Sequence, residues 1–253
     1  MRKVNTLDNG LKPMGGLIVA KCNPFILDET QEDRDLELSN LLNMPLDRVK
    51  ALSIATPGSI RIFDEKLNKP KDLTSLYSNY EYLNFPAYLK TLMFTSVTKR
   101  HKELFELLRS TYYLRCLDFG SGCGSHSIGL LQHENEVDSL DVPGKLQEFT
   151  RKRIANRKLL GSNILSNTDE LINNSYDTVI CSDTLEHVPN PLVELERIYK
   201  AMCSGAVIHL LVSTMVKPSS GHFPESIAIW KTEGKKFMSK NFINIGETLW
   251  RKK

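Results

Sequence analysis

Long apolar runs are missing from this chain. No stretch approaches the roughly 18 consecutive apolar residues a membrane span needs, so no such span is predicted. The opening "MRKVNTLDNG" has basic residues but no apolar segment behind them, and the later "GGLIVA" is too short for one. No secretory signal is therefore expected. Cysteine is scarce: Cys22, Cys116, Cys123, Cys181 and Cys203, an odd number at scattered spacings. That excludes a disulfide framework and points to the cytoplasm. No C-x-x-C or H-x-x-x-H pair occurs, so no metal site is predicted. Charge of one sign is also lacking. A net charge of +3 is too small to argue for nucleic acid or a membrane surface as partner. There is no internal repeat and no low-complexity segment.

What remains is ordinary globular material, 41% hydrophobic and 25% charged. Its 253 residues suffice for one large α/β domain, or a core domain with an added cap. The front is helical in pattern. "LDETQEDRDLELSNLL" starts with acids, which suit a helix N-terminus, and those acids read as a solvated face. "NMPLDRVKALSIA" reads as a second short helix, and "SIRIF" as a short strand. An aromatic cluster follows, with Tyr77, Tyr80, Tyr82, Phe85 and Tyr88. Helical spacing then runs through Leu89, Leu92, Met93, Val97, Leu104, Leu107 and Leu108.

From about residue 112 strands and helices alternate. The strands are expected at 113–119, 136–142, 162–166 (a weak one), 176–183 and 206–214. This alternation is the signature of a mostly parallel, doubly wound sheet. The near-continuous apolar fourth and fifth runs suit central strands. Cys116 and Cys181, each bordering such a run, read as buried small hydrophobes. The division predicted is a helical region at 1–110 and a core at 111–253.

The stretch "CLDFGSGCGSHSIGL" carries the chemistry. An apolar strand ends at Asp118-Phe119, and Gly120, Gly122 and Gly124 alternate after it. Glycine costs conformational entropy on folding, so three together argue for close approach of backbone to a ligand. In a doubly wound sheet that is where ligands bind, beyond the strand C-termini. Two phosphate loops are excluded. The dinucleotide pattern G-x-G-x-x-G fails at Ser125, and no Gly-Lys-Ser/Thr follows. Asp141 stands nineteen positions after Gly122, at the tip of the second strand. A carboxylate there can accept hydrogen bonds from both hydroxyls of a ribose.

"LDFGSGCG", "VDSLDV" and "YDTVICSDTLEHVPNP", in this order, resemble the class I S-adenosylmethionine-dependent methyltransferases. The last piece is similar to their small-molecule "type 11" group. The resemblance covers roughly 112–215. It implies a Rossmann-like fold with a seven-stranded sheet, S-adenosyl-L-methionine as cofactor, and a small-molecule acceptor. It implies that Asp118, Gly120, Gly122 and Gly124 face the methionine part, that Asp141 holds the ribose, and that Val142 packs near the adenine. Asn167 to Asp169 would reach the adenine amino group. Ser182 and Asp183 would lie beside cofactor and acceptor. The tail is short for the family's final hairpin, which leaves the last strand open.

On the acceptor side, His187 has the pKa range of a general base, or it braces its loop. Glu186, expected on the surface, is its rival. His126 reads as a helix-face residue. His222, after the fifth strand, stands where acceptor loops lie. The Tyr cluster can supply pocket walls with hydroxyl tips, or pack as a core. Residues 231–253 hold seven Lys/Arg against two Glu and read as a solvated end. The function expected is O-methylation of a hydroxylated metabolite such as a sugar or sugar nucleotide. An RNA (tRNA) methyltransferase and a non-catalytic binding module with this fold are the alternatives.

Overall fold

The computed structural model describes residues 24–52, 85–96, 102–214 and 222–253. Tyr77, Tyr80, Tyr82, the expected strand "SIRIF", Cys22 and His101 lie outside the described residues.

Among the described residues four helices precede the sheet: α1 (Gln31–Leu42), α2 (Leu46–Ala51), α3 (Phe85–Thr95) and α4 (Lys102–Ser110). The first starts on a reciprocal cap. Thr30 Oγ1 accepts from the Asp33 N–H, and the Asp33 carboxylate accepts from the Thr30 N–H, which satisfies two otherwise orphan donors. It ends at Asn43 in the left-handed region, where asparagine is tolerated. Then come β1 (Arg115–Phe119), α5 (Ser125–Leu131), β2 (Glu136–Leu140), α6 (Lys145–Asn156), β3 (Ser162–Leu165), β4 (Tyr176–Ser182), α7 (Pro191–Ala201) and β5 (Met202–Leu211). The chain closes with α8 (Pro224–Ile229), α9 (Lys235–Asn241), β6 (Phe242–Asn244) and β7 (Leu249–Lys252).

The seven strands form one sheet in the order β3-β2-β1-β4-β5-β7-β6. Strands β1 to β5 are parallel, and β7 runs antiparallel to both β5 and β6. The final hairpin that the tail left open is present. Its strands are three and four residues long, which is why their sequence signal is faint. The weak third strand is an edge strand, with little apolar surface to bury. The fifth strand begins at Met202, inside what reads as the end of a helix. Its pairing with β4 is irregular over this first part, and Gly205 adopts φ 76° there.

Side chains of successive strand residues point to opposite faces, and the core follows that rule. Leu117, Phe119, Val179 and Cys181 pack on one face with α7 and α9. Cys116, Val137 and Ile180 pack on the other with α4, α5 and α6. Burial pushes the Cys116 thiol up to about 12, so it behaves as a small hydrophobe. A third apolar group joins front and core: Leu38, Val49, Leu89 and Met93 meet Cys123, Leu146 and Phe149.

Two surface expectations are corrected. The acids of α1 are not all solvated. Asp35 and Glu37 are buried, Asp35 against Lys90 at 3.3 Å and Glu37 against Arg153 at 2.9 Å and Arg157 at 2.7 Å. The helix carries its acids inward because buried cations on α3 and α6 wait there. At the chain end, Lys252 does not extend into solvent. Its ammonium donates to the carbonyls of Tyr199 and Met202, each at 2.7 Å, and lies 4.3 Å from the Tyr199 ring centroid.

Candidate functional site

Strand order reverses between β1 and β4: from β1 the chain steps outward to β2 and β3, then returns to β4 and β5. A crevice opens beyond the strand ends at such a reversal. The glycine loop 120–124 sits there. The Gly120 and Ser121 N–H groups donate to the Leu140 carbonyl at 2.8 and 3.0 Å, tying the loop to the end of β2. All three glycines have positive φ, but their surroundings differ. A Cβ on Gly120 would meet the Thr184 side chain at 2.3 Å, and one on Gly124 would meet Thr150 at 2.5 Å. A Cβ on Gly122 would meet nothing within 4 Å among the described residues. Two glycines let the loop pack against protein; the middle one is left uncrowded by the described residues.

Asp118 is buried at the end of β1. Its Oδ2 accepts from the Ser127 N–H at 2.9 Å and the Ser127 hydroxyl at 2.6 Å. It thereby fixes the first turn of α5 against the end of β1. Asp141 lies across the loop. Its Oδ2 accepts from the Gly122 N–H at 2.6 Å and its Oδ1 from the Val142 N–H at 2.8 Å. Burial pushes its carboxyl up to about 6, against the pull of those two donors. Each oxygen keeps a lone pair for a further donor.

Asn167 is exposed and caps the one-turn helix 168–170, accepting from the Asp169 N–H at 2.9 Å. It stands at the end of β3, the outer edge of the crevice. Ser182, at the end of β4, has a buried hydroxyl oxygen without a hydrogen-bond partner among the described residues. Asp183, next to it, adopts φ 51°, an uncommon conformation for a residue other than glycine. Its N–H donates to the Leu211 carbonyl at 2.9 Å. The turn lets Thr184 reach back to the glycine loop, where its hydroxyl donates to Phe119 O at 3.2 Å.

His187 follows on a one-turn helix (Leu185–His187), its N–H on the Thr184 carbonyl at 2.9 Å. Glu186 is not exposed as expected but fully buried. Its Oε1 accepts from the Ser213 N–H, and its own carbonyl accepts from the Phe223 N–H, both at 2.9 Å. Glu186 thus stitches the loop after β4 to the segments after β5. His222 arrives with them, its ring edge-on to His187 with centroids 4.7 Å apart. Ligand atoms of Glu186, His187 and His222 all lie within 4.8 Å of one another. Spacing along the chain could not show this group, because His222 comes from a separate loop.

Three further residues have surroundings that a sequence reading does not show. Tyr88, on α3, has its phenol pushed far up by burial and, after that, by the nearby Asp141 charge. His126 is no free helix-face residue. One ring nitrogen is 3.2 Å from the Ser96 carbonyl and the other 3.8 Å from Asp118. Gln147 donates to the carbonyls of Asp141 and Leu165 at 2.8 and 2.6 Å, shaping the ends of β2 and β3. Only the aromatic cluster hinted at one of these, Tyr88.

Residues 117–208 match the family model described as a methyltransferase domain. No curated protein matches. Among solved structures, a SAM dependent methyltransferase from Aquifex aeolicus aligns over 78% of this chain and 97% of its own, at 15% identity and a TM-score of 0.46. A phosphoethanolamine N-methyltransferase 2 from Haemonchus contortus, in complex with S-adenosyl-L-methionine, aligns over 56% of this chain and 37% of its own, at 18% identity and 0.46. A tRNA (m1A58) methyltransferase from Aquifex aeolicus aligns over 60% and 69%, at 15% identity and 0.44. The chain spans about half the length of the first solved structures it matches, 44–49%.

Proposed function

We propose that this chain, through the S-adenosylmethionine-dependent methyltransferase domain it carries, methylates a hydroxyl of a small metabolite such as a sugar or sugar nucleotide. The observation that supports this best is the open face of Gly122, whose N–H is held by Asp141 at the strand-order reversal. The residues fit the cofactor: a backbone cradle without side chains, a carboxylate with free lone pairs, and a helix N-terminus. Bound S-adenosylmethionine supplies a methyl group already made electrophilic by its sulfonium.

In this reading Asp118, Gly120, Gly122 and Gly124 shape the cleft for the methionine part. Asp141 holds the ribose hydroxyls, Val142 flanks the adenine, and Asn167 stands at the adenine edge. Ser182 offers its hydroxyl between cofactor and acceptor. Residues 1–110 form the cap. Tyr88 near Asp141 and the Ser96 carbonyl on His126 support a front region closing over the site. Its task is to align the acceptor and exclude water, which can supply much of the rate. His187 serves the acceptor, standing beside the hydroxyl to be methylated. We place the reaction in the cytoplasm; among the described residues no helix is long and apolar enough to cross a membrane.

Calorimetry with S-adenosylhomocysteine tests the cofactor half. Binding of micromolar order, about −8 kcal/mol, is expected. Asp141→Ala should weaken it by about 1.5–3 kcal/mol, the range for hydrogen bonds to a charged group. Unchanged affinity removes Asp141 from the site. The pH dependence has a definite sign. Below about 6 Asp141 carries a proton and loses acceptor capacity. Wild-type affinity should therefore rise as pH increases through about 6, and Asp141→Asn should abolish that rise. For the acceptor half, His187→Ala should lower kcat about 10²–10⁴-fold with little change in cofactor affinity. A kcat within about threefold of wild type would remove His187 from the machinery.

A further inference from the structure

We propose that Glu186, His187 and His222 bind a divalent transition-metal ion that holds the acceptor's hydroxyl oxygen. Their ligand atoms lie within 4.8 Å of one another, from a buried carboxylate and two half-buried imidazoles. Zinc-like ions bind imidazole nitrogen and carboxylate oxygen at about 2.0–2.2 Å, so closing around one takes movements of about 1 Å. Two nitrogens with one oxygen suit zinc, iron(II) or cobalt(II), whereas magnesium prefers oxygen alone.

The site is built rather than incidental. Glu186 is locked by the Ser213 N–H on its Oε1 and the Phe223 N–H on its carbonyl. The Ser226 hydroxyl, buried in α8, donates to the Val188 carbonyl and pins the same loop. Such outer contacts orient metal ligands. Three protein ligands leave at least one coordination position open, the pattern of catalytic rather than structural sites. Protein closes the Glu186 side. His187 and His222 form the accessible side, one hydrogen-bonded turn from Thr184, which touches the glycine loop.

The chemistry deepens the methyl-transfer reading and, for the acceptor, rests on it. A hydroxyl oxygen on the metal loses its proton to solvent at lower pH than it would in water. The oxygen's electron pair then forms the bond to the methyl carbon. The sulfur–carbon bond breaks, its pair stays on sulfur, and the products are the methyl ether, S-adenosylhomocysteine and one proton. In this state His187 acts as a ligand, and the metal does the activation.

The test uses tag-free full chain, stripped with chelator and dialysed. Titration with cobalt(II), followed by its visible absorption, should show about one ion per chain. His222→Ala and Glu186→Gln should each weaken binding by at least the roughly 10–100-fold that losing an outer-shell partner of a metal ligand costs. Thermal unfolding and S-adenosylhomocysteine calorimetry of the same variants should match wild type. His187→Gln provides a further variant should one of these fail to fold. Absence of cobalt binding, or full binding by His222→Ala, overturns the site. Turnover of a hydroxylated acceptor should vanish in stripped protein and return with metal; turnover indifferent to chelator overturns the activation step. The two readings fail separately. Metal binding without S-adenosylhomocysteine binding would sink methyl transfer, and the reverse would sink the metal site.

Discussion

Gly122→Val is expected to abolish S-adenosylhomocysteine binding, the largest effect among single changes in the cofactor cleft. Position 122 has φ 54° and nothing among the described residues within 4 Å of where a Cβ would stand. A side chain there would occupy the space assigned to the ligand. Valine also resists the left-handed conformation, so lost binding could reflect a distorted loop. Gly122→Asn separates the two causes. Asparagine visits that conformation readily, so the loop and the thermal midpoint should persist while binding still falls by an order of magnitude or more. Wild-type calorimetry for both variants would show that the ligand lies elsewhere. Gly124→Ala makes the contrast. Its Cβ would strike Thr150, so it should lower stability by packing rather than by occupying the cleft.

Arg153→Ala should destabilise the fold by about 3–5 kcal/mol, the cost of breaking a buried ion pair on one side. Arg153 is fully buried. It donates to Glu37 Oε2 at 2.9 and 3.2 Å, to the Cys123 carbonyl at 2.7 Å and to the Ser125 hydroxyl at 3.1 Å. Arg157 adds bonds to Glu37 and Glu29. One side chain thus ties α1, α6 and the glycine loop together. For a chain of this size the thermal midpoint should fall by roughly 10 °C. The double variant Arg153→Met with Glu37→Met should recover only part of that, because the buried Arg157 then keeps Glu29 alone as its carboxylate partner. A midpoint within about 2 °C of wild type for Arg153→Ala would show that Arg157 alone compensates Glu37.

The same network sets a pH dependence. Arg153 and Arg157 hold the Glu37 carboxyl at about 2, overcoming the opposing effect of burial. A depressed carboxylate stabilises the fold above its unfolded pKa, and this is lost as pH falls through the folded value. On the order of 3 kcal/mol should therefore disappear between about pH 4.5 and 2. Glu29 runs the other way. Burial outweighs Arg157 and raises its carboxyl, so its contribution weakens as pH rises. Denaturant titrations of wild type and Glu37→Gln from pH 2 to 7 would isolate the Glu37 part.

The amino-acid sequence by itself determined the parallel core, because period-two apolar runs and alternating helices are local patterns. It determined the glycine loop and the strand-end acids Asp118 and Asp141 for the same reason: each lies within a few residues of the strand that positions it. Tertiary structure alone decided which of three like glycines the described residues leave uncrowded, since Thr184 and Thr150, which crowd the other two, come from distant segments. It decided that Glu37 points inward, because the cations that meet it are 116 and 120 residues away. It placed a short final hairpin whose strands are too brief to carry a periodic signal. It also brought His222 to Glu186 and His187, because the end of β4 and the segment after β5 are neighbours only once two parallel strands pair.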